Sequence, residues 1–141
     1  MNREILFKAK RKDNGEWVEG YYLNIAQINS FICTGKIKLN GAIKGIIAPK
    51  MYAIDINTLC QYTGLTDKNG QKIWENDILC GRLDEEYPEN ITYKKVVWDM
   101  NGFCTKEECS TDFEPLDDFD AKYFETCGNI FDNPELLEVE E

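Results

Sequence analysis

A chain of 141 residues, 43% hydrophobic and 12% aromatic with a charged fraction of 30%, is the size of one ordinary domain and has enough apolar residues to fill a core, which argues against wholesale disorder. The formal net charge of −10 is concentrated: residues 107–141 carry 13 Asp or Glu against the single base Lys122, whereas the remainder carries 15 Lys or Arg against 13 acids. Such an acidic chain is repelled by nucleic-acid phosphates unless a local basic face overrides the field, so generic nucleic-acid binding is disfavoured. No apolar run reaches the about 18 residues of a membrane span, and the charged stretch 1–12 lacks the apolar run of a signal peptide. A protein that stays in the cytoplasm and away from the membrane is the expectation.

In chain order, residues 4–10 read as a strand with Ile5, Phe7 and Ala9 on the core face. Asp13, Asn14 and Gly15 supply a turn, and residues 16–23, with Trp17, Val18, Tyr21 and Tyr22, complete an N-terminal hairpin. Residues 24–50 hold short strand patterns at 30–34 and 36–39 broken by Gly35, Gly41, Gly45 and Pro49. Strand patterns resume at 52–56 and 59–63, ahead of a turn at Asp67, Asn69 and Gly70. After Ile73 and Trp74, Asn76 and Asp77 suit a tight bend into a strand at 78–80, because Asn tolerates the left-handed region and Asp bonds nearby amides.

Residues 83–90 read as a polar loop, 91–98 as a strand, 99–102 as a turn, and Phe103 and Cys104 begin the partner strand of a second hairpin. The acidic stretch 110–122 is the least regular. Residues 123–131 have strand composition, and Asn133-Pro134 ahead of Glu135, Leu136 and Leu137 signals one helical turn over 134–138. The boundaries suggest a single domain with an N-terminal strand region at 1–50 and a barrel-like region at 51–141 that ends in the acidic quarter.

The run Gln61-Tyr62-Thr63-Gly64-Leu65, followed by Asp67, Asn69, Gly70, Ile73 and Glu75-Asn76-Asp77-Ile78-Leu79, resembles the signature of the YopX family of phage and prophage proteins. Further blocks of the same resemblance are Arg3-Glu4-Ile5 with Phe7 and Ala9, Val96-Val97-Trp98-Asp99 with Gly102-Phe103, and Gly128-Asn129 followed by Asn133-Pro134-Glu135-Leu136-Leu137. Asn76 stands where Gly is usual, and Lys10 where an aromatic often follows the alanine. The resemblance implies a mainly β fold with a small SH3-like barrel, little helix, and a phage or prophage setting in a bacterial cell. It implies no activity.

The chemistry of the residues points the same way. With no histidine anywhere, imidazole is absent as base, metal ligand or triad partner. The cysteines Cys33, Cys60, Cys80, Cys104, Cys109 and Cys127 lack the two-residue spacing of a zinc knuckle and read as reduced thiols. Glycines are dispersed, with no phosphate loop or dinucleotide fingerprint, so no cofactor is expected. Asp67, Glu75 and Asp77 form an acidic group that could hold a divalent ion, but turn chemistry accounts for all three, and the motif residues are read as structural. The sequon Asn90-Ile91-Thr92 has no secretory route and is read as chance.

Two surfaces remain as candidates. The acidic quarter, through Asp112, Asp117, Asp118 and Asp120, suits contact with a basic site on a host or phage protein. The strip Lys8, Lys10, Arg11 and Lys12, with Trp17 and Tyr21 close in sequence, suits a nucleic-acid strand and is the alternative. Self-association through exposed strand edges would make a homo-oligomer. A non-enzymatic macromolecule-binding accessory protein is the reading these residues favour.

Overall fold

The computed structural model describes residues 5–26, 29–34, 50–83, 86–87, 89–99, 102–107, 110 and 112–138 in full and residues 37–40 and 43–46 by backbone alone. The readings placed on Arg3, Glu4, Gly35, Lys36, Gly41, Pro49, Cys109 and the middle of the 99–102 turn lie outside the described residues. The protein is mainly β, and its chain divides into two compact units, Met1–Gln61 and Tyr62–Glu141. The border falls inside the Gln61-Tyr62-Thr63-Gly64-Leu65 motif.

In the first unit, β1 (Phe7–Lys10) and β2 (Trp17–Ile25) form the expected N-terminal hairpin, in register from Phe7↔Gly20 to Lys10↔Trp17. Its turn is closed by the Arg11 N–H donating to the Glu16 carbonyl at 2.9 Å. Antiparallel pairing continues through β3 (Asn29–Thr34) to β6 (Lys50–Ala53) on one side and to the start of β7 (Cys60–Thr66) on the other. A separate two-stranded ribbon of β4 (Ile37–Asn40) and β5 (Ile43–Ile46) links β3 to β6.

Ala9, Ile32 and Ile54 make the buried centre, with Phe7, Val18, Tyr22 and Leu59 packed against it. Ile5, expected beside Phe7 and Ala9, is instead 59% exposed, because the strand starts only at Phe7 and the alternation does not reach back to it. The expected strand over 52–56 is also cut short, since a 3-10 turn at Ile56–Thr58 follows β6. The Asp55 carboxylate caps that turn by accepting from the Asn57 N–H at 3.0 Å, and the Thr58 hydroxyl oxygen accepts from the Lys10 N–H at 2.8 Å.

In the second unit, the remainder of β7 pairs with β8 (Lys72–Trp74). The main sheet has the order β12-β11-β10-β9-β13, with β9 (Asp77–Gly81), β10 (Thr92–Asp99), β11 (Gly102–Glu107), β12 (Glu114–Pro115) and β13 (Glu125–Asn129) all antiparallel. Its outer strands β12 and β13 do not pair with each other, so among the described residues the sheet is open rather than closed into the barrel the resemblance implies. The expected β10/β11 hairpin is present. Ile73, Leu79, Val96 and Phe124 are fully buried and carry Leu65, Phe103 and Leu116 against them. Each such buried side chain contributes about 1.5–3 kcal/mol.

The acidic stretch expected to be irregular contains the helix α1 (Asp118–Tyr123). A 3-10 turn at Pro134–Leu137 matches the turn signalled by Asn133-Pro134.

Candidate functional site

The signature residues fasten the bends of the second unit. Asp67 is 4% exposed; one carboxylate oxygen accepts from the Asn69 and Gln71 N–H groups at 2.8 and 2.9 Å, and the other accepts from the Thr126 N–H at 2.9 Å. One side chain thus closes the β7–β8 turn and ties it to β13. Gly70 has φ +82, a left-handed conformation that a Cβ would strain. The Thr63 hydroxyl donates to the Ile73 carbonyl at 2.7 Å, and Asp77, 2% exposed, accepts from the Trp74 N–H at 2.8 Å.

Asn76 adopts φ +71, which explains why a glycine suits this position equally. Its N–H donates to the Val96 carbonyl at 2.8 Å and its carbonyl accepts from the Ile130 N–H at 3.0 Å. At the C-terminal end, the Asn129 side chain accepts from the Phe131 and Asp132 N–H groups, both at 2.9 Å. Asn133 lies so close to Gly128 that a Cβ there would approach its side-chain oxygen to 2.5 Å. Tyr62 packs on Trp74 at 5.5 Å between ring centroids. Asp67 and Asp77 are therefore turned to backbone amides, and no group of three or more Cys, Asp or Glu side chains able to hold a metal ion occurs among the described residues.

The four acidic candidates separate. Asp112, Asp117 and Asp118 are exposed, but Asp120 is 2% exposed and is not a surface residue. Asp117 caps α1 by accepting from the Phe119 N–H at 3.0 Å, while Asp120 accepts from the Asp117 N–H at 3.2 Å, a reciprocal capping box. The other oxygen of Asp120 receives the Lys94 ammonium at 3.3 Å. Lys94 points inward from β10, lies 4.5 Å from the Phe124 ring centre and reaches Glu114 at 3.9 Å.

Above this pair lies a hollow of about 90 Å³ lined by Lys94, Thr105, Glu107, Ser110, Asp112 and Glu114. Phe113, between two of the lining acids, is 45% exposed, and Phe119 is 47% exposed. The second unit as a whole carries 21 acids against seven bases. Sequence reasoning passed over Lys94, Glu107, Glu114 and Phe113; the available signal was the Asp117-x-x-Asp120 spacing of a capping box, which fixes where the helix starts and which carboxylate turns inward.

The basic strip of the first unit also separates. Lys8 and Lys10 stand over the Trp17 ring at 4.7 and 5.5 Å, so one face of the indole is occupied by ammonium groups. Arg11 is ion-paired to Asp13 and covers Tyr52 at 4.3 Å. The guanidinium holds the Asp13 carboxyl below its ordinary range. Tyr21 is 58% exposed. Among the described residues Cys33, Cys60, Cys80, Cys104 and Cys127 are free thiols. Burial and the neighbouring Cys80 thiol push Cys127 up to about 12.

The fold and its signature bends define a mainly β protein with two antiparallel units and an acidic capped helix. The chain belongs to the YopX family: the profile described as YopX protein matches residues 6–138. A similar solved structure is the crystal structure of protein EF1440 from Enterococcus faecalis, at 22% identity and a TM-score of 0.57, covering 97% of this chain and 100% of that one. That likeness is one of fold. The search of curated proteins found no match. No helix among the described residues is long and apolar enough to cross a membrane.

Proposed function

We propose that the protein is a non-enzymatic binding module of the bacterial cytoplasm whose acidic C-terminal surface engages a basic site on a host or phage protein. The observation that carries this reading is the hollow where Glu107, Asp112 and Glu114 outnumber the one lining cation, Lys94, itself held by Asp120, with Phe113 exposed next to Asp112 and Glu114 in the chain. A hollow of that size suits the head of one Lys or Arg side chain. The carboxylates supply the charge, and an exposed aromatic supplies the apolar anchor that binding surfaces favour.

Asp117 and Asp118 extend the negative surface, and the excess of acids over bases in this unit steers a basic partner over a Debye length of about 10 Å at 0.1 M salt. The phage setting rests on the family resemblance. A partner recovered from cell lysate is expected to dissociate as salt rises. Its retention by the folded Asp112→Asn/Glu114→Gln variant would refute the role given to the hollow.

A second reading follows from the first unit, which carries nine bases against five acids and gathers Lys8 and Lys10 on Trp17: a nucleic-acid strand would bind there. It requires a gel shift at low salt that Lys8→Gln/Lys10→Gln abolishes; no shift with single- or double-stranded DNA or RNA refutes it.

A further inference from the structure

The second unit holds a different cleft, of about 470 Å³, lined by residues that include Lys68, Arg82, Lys122, Tyr123 and Glu125. Two backbone registers build it. The Lys68 N–H donates to the Phe124 carbonyl at 3.1 Å, which draws the β7–β8 turn against the end of α1 where Lys122 and Tyr123 stand. The pairing of Glu125 with Cys80 places Arg82, just beyond β9, at the same mouth. Three cations from three separate segments thereby line one cleft.

This unit has only seven bases among 21 acids, so a cation has many carboxylates to choose from. Lys94 is paired with Asp120 and Glu114. Among the described residues Lys68, Arg82 and Lys122, like Lys72, Lys95 and Lys106, form no ion pair, and the first three are exposed and meet in one cleft. Among the described residues Glu125 is the one carboxylate in the lining, and it accepts from the Asn69 side-chain amide at 3.0 Å. The Lys122 ammonium rests 5.3 Å from the centre of the half-exposed Tyr123 ring. Clustering like charges without paired carboxylates is unfavourable in itself, and a cleft focuses their field on whatever enters.

The geometry points to a binding site for a phosphomonoester of nucleotide size, its phosphate held by Lys68, Arg82 and Lys122 and its body lying toward Tyr123 and Glu125. A planar guanidinium and two ammonium groups are the donors that a phosphate dianion takes. The volume falls in the range of about 300–1,000 Å³ typical of small-ligand sites and exceeds what bare phosphate requires. Glu125 offers an acceptor to hydroxyl or amino groups of the body. The phosphate comes either from a free nucleotide or from the 5′ end of a strand.

Calorimetric titration of the full chain with a nucleoside 5′-monophosphate, the parent nucleoside, inorganic phosphate and a 5′-phosphorylated oligonucleotide tests this. Saturable binding of the nucleotide or of the oligonucleotide, absent for the nucleoside, is expected, and the tighter of the two identifies the source. Lys68→Gln, Arg82→Gln and Lys122→Gln should each weaken binding about tenfold, the loss of one charge-assisted bond. Lys95→Gln, outside the cleft, should leave it unchanged. No saturable binding up to about 10 mM overturns the proposal, as does phosphate binding as tightly as nucleotide or an equal loss in Lys95→Gln.

Discussion

Replacing Asp120 by Asn tests how the acidic segment is held. The amide keeps an acceptor for the Asp117 N–H, so the capping box survives, but the negative charge 3.3 Å from Lys94 is lost. The Lys94 side chain is only 7% exposed, and an ammonium left unpaired in such a place destabilises by about 3–5 kcal/mol. Glu114, 3.9 Å away but 73% exposed, offsets part of this, since an exposed partner is worth about 1 kcal/mol or less. The expected loss is about 3 kcal/mol, which for a unit of this length lowers the melting temperature by about 12 °C or more. Urea unfolding followed by circular dichroism measures it. Lys94→Met strands the carboxylate instead, and the double variant Asp120→Asn/Lys94→Met should be less destabilised than the sum of the two single losses by about 2 kcal/mol. A loss under about 0.5 kcal/mol in Asp120→Asn, or simple additivity in the double variant, would refute the buried pair.

Other positions give independent checks. Asp67→Ala removes the acceptor of three backbone N–H groups and should cost about 3 kcal/mol in urea unfolding, at about 1 kcal/mol per bond. At Asn76, with φ +71, Ala should cost about 1–2 kcal/mol while Gly leaves the unfolding midpoint nearly unchanged. Cys127, pushed up to about 12 from its ordinary 9.0, stays protonated in the folded chain while the unfolded chain loses its proton. Stability is therefore flat in this term below about 9 and falls as pH climbs toward 12; Cys127→Ser should flatten that alkaline decline in a pH series of thermal melts.

What the sequence made legible follows from how local each signal is. The N-terminal hairpin and the β10/β11 hairpin are announced by turn residues between alternating runs, and the bends at Asp67, Gly70 and Asn76 are set by side chains bonding to amides a few residues away. Helix α1 left no amphipathic stripe, because it is six residues long and two of its aromatics, Phe119 and Tyr123, face outward. Its anchor is Lys94, a lysine at a buried strand position whose partner lies 26 residues away, and no period-2 reading places a lysine inside. The acidic stretch therefore read as uniform surface although one of its aspartates is buried. The open sheet was equally illegible, since whether β12 and β13 meet depends on pairing across the sheet rather than on either strand's composition.

The central claim, that the acidic surface binds a basic protein partner, is tested most directly by a tagged pull-down from nuclease-treated host-cell lysate. The wild-type chain is run beside a variant combining Asp112→Asn, Glu114→Gln and Phe113→Ala. The account predicts a saturable, nuclease-resistant protein that wild type retains at low salt, releases at high salt, and that the variant fails to recover although it stays folded, melting lower by about 4 °C or less for the lost Glu114 contact. Equal recovery by the variant, or recovery only of material that nuclease removes, would contradict it.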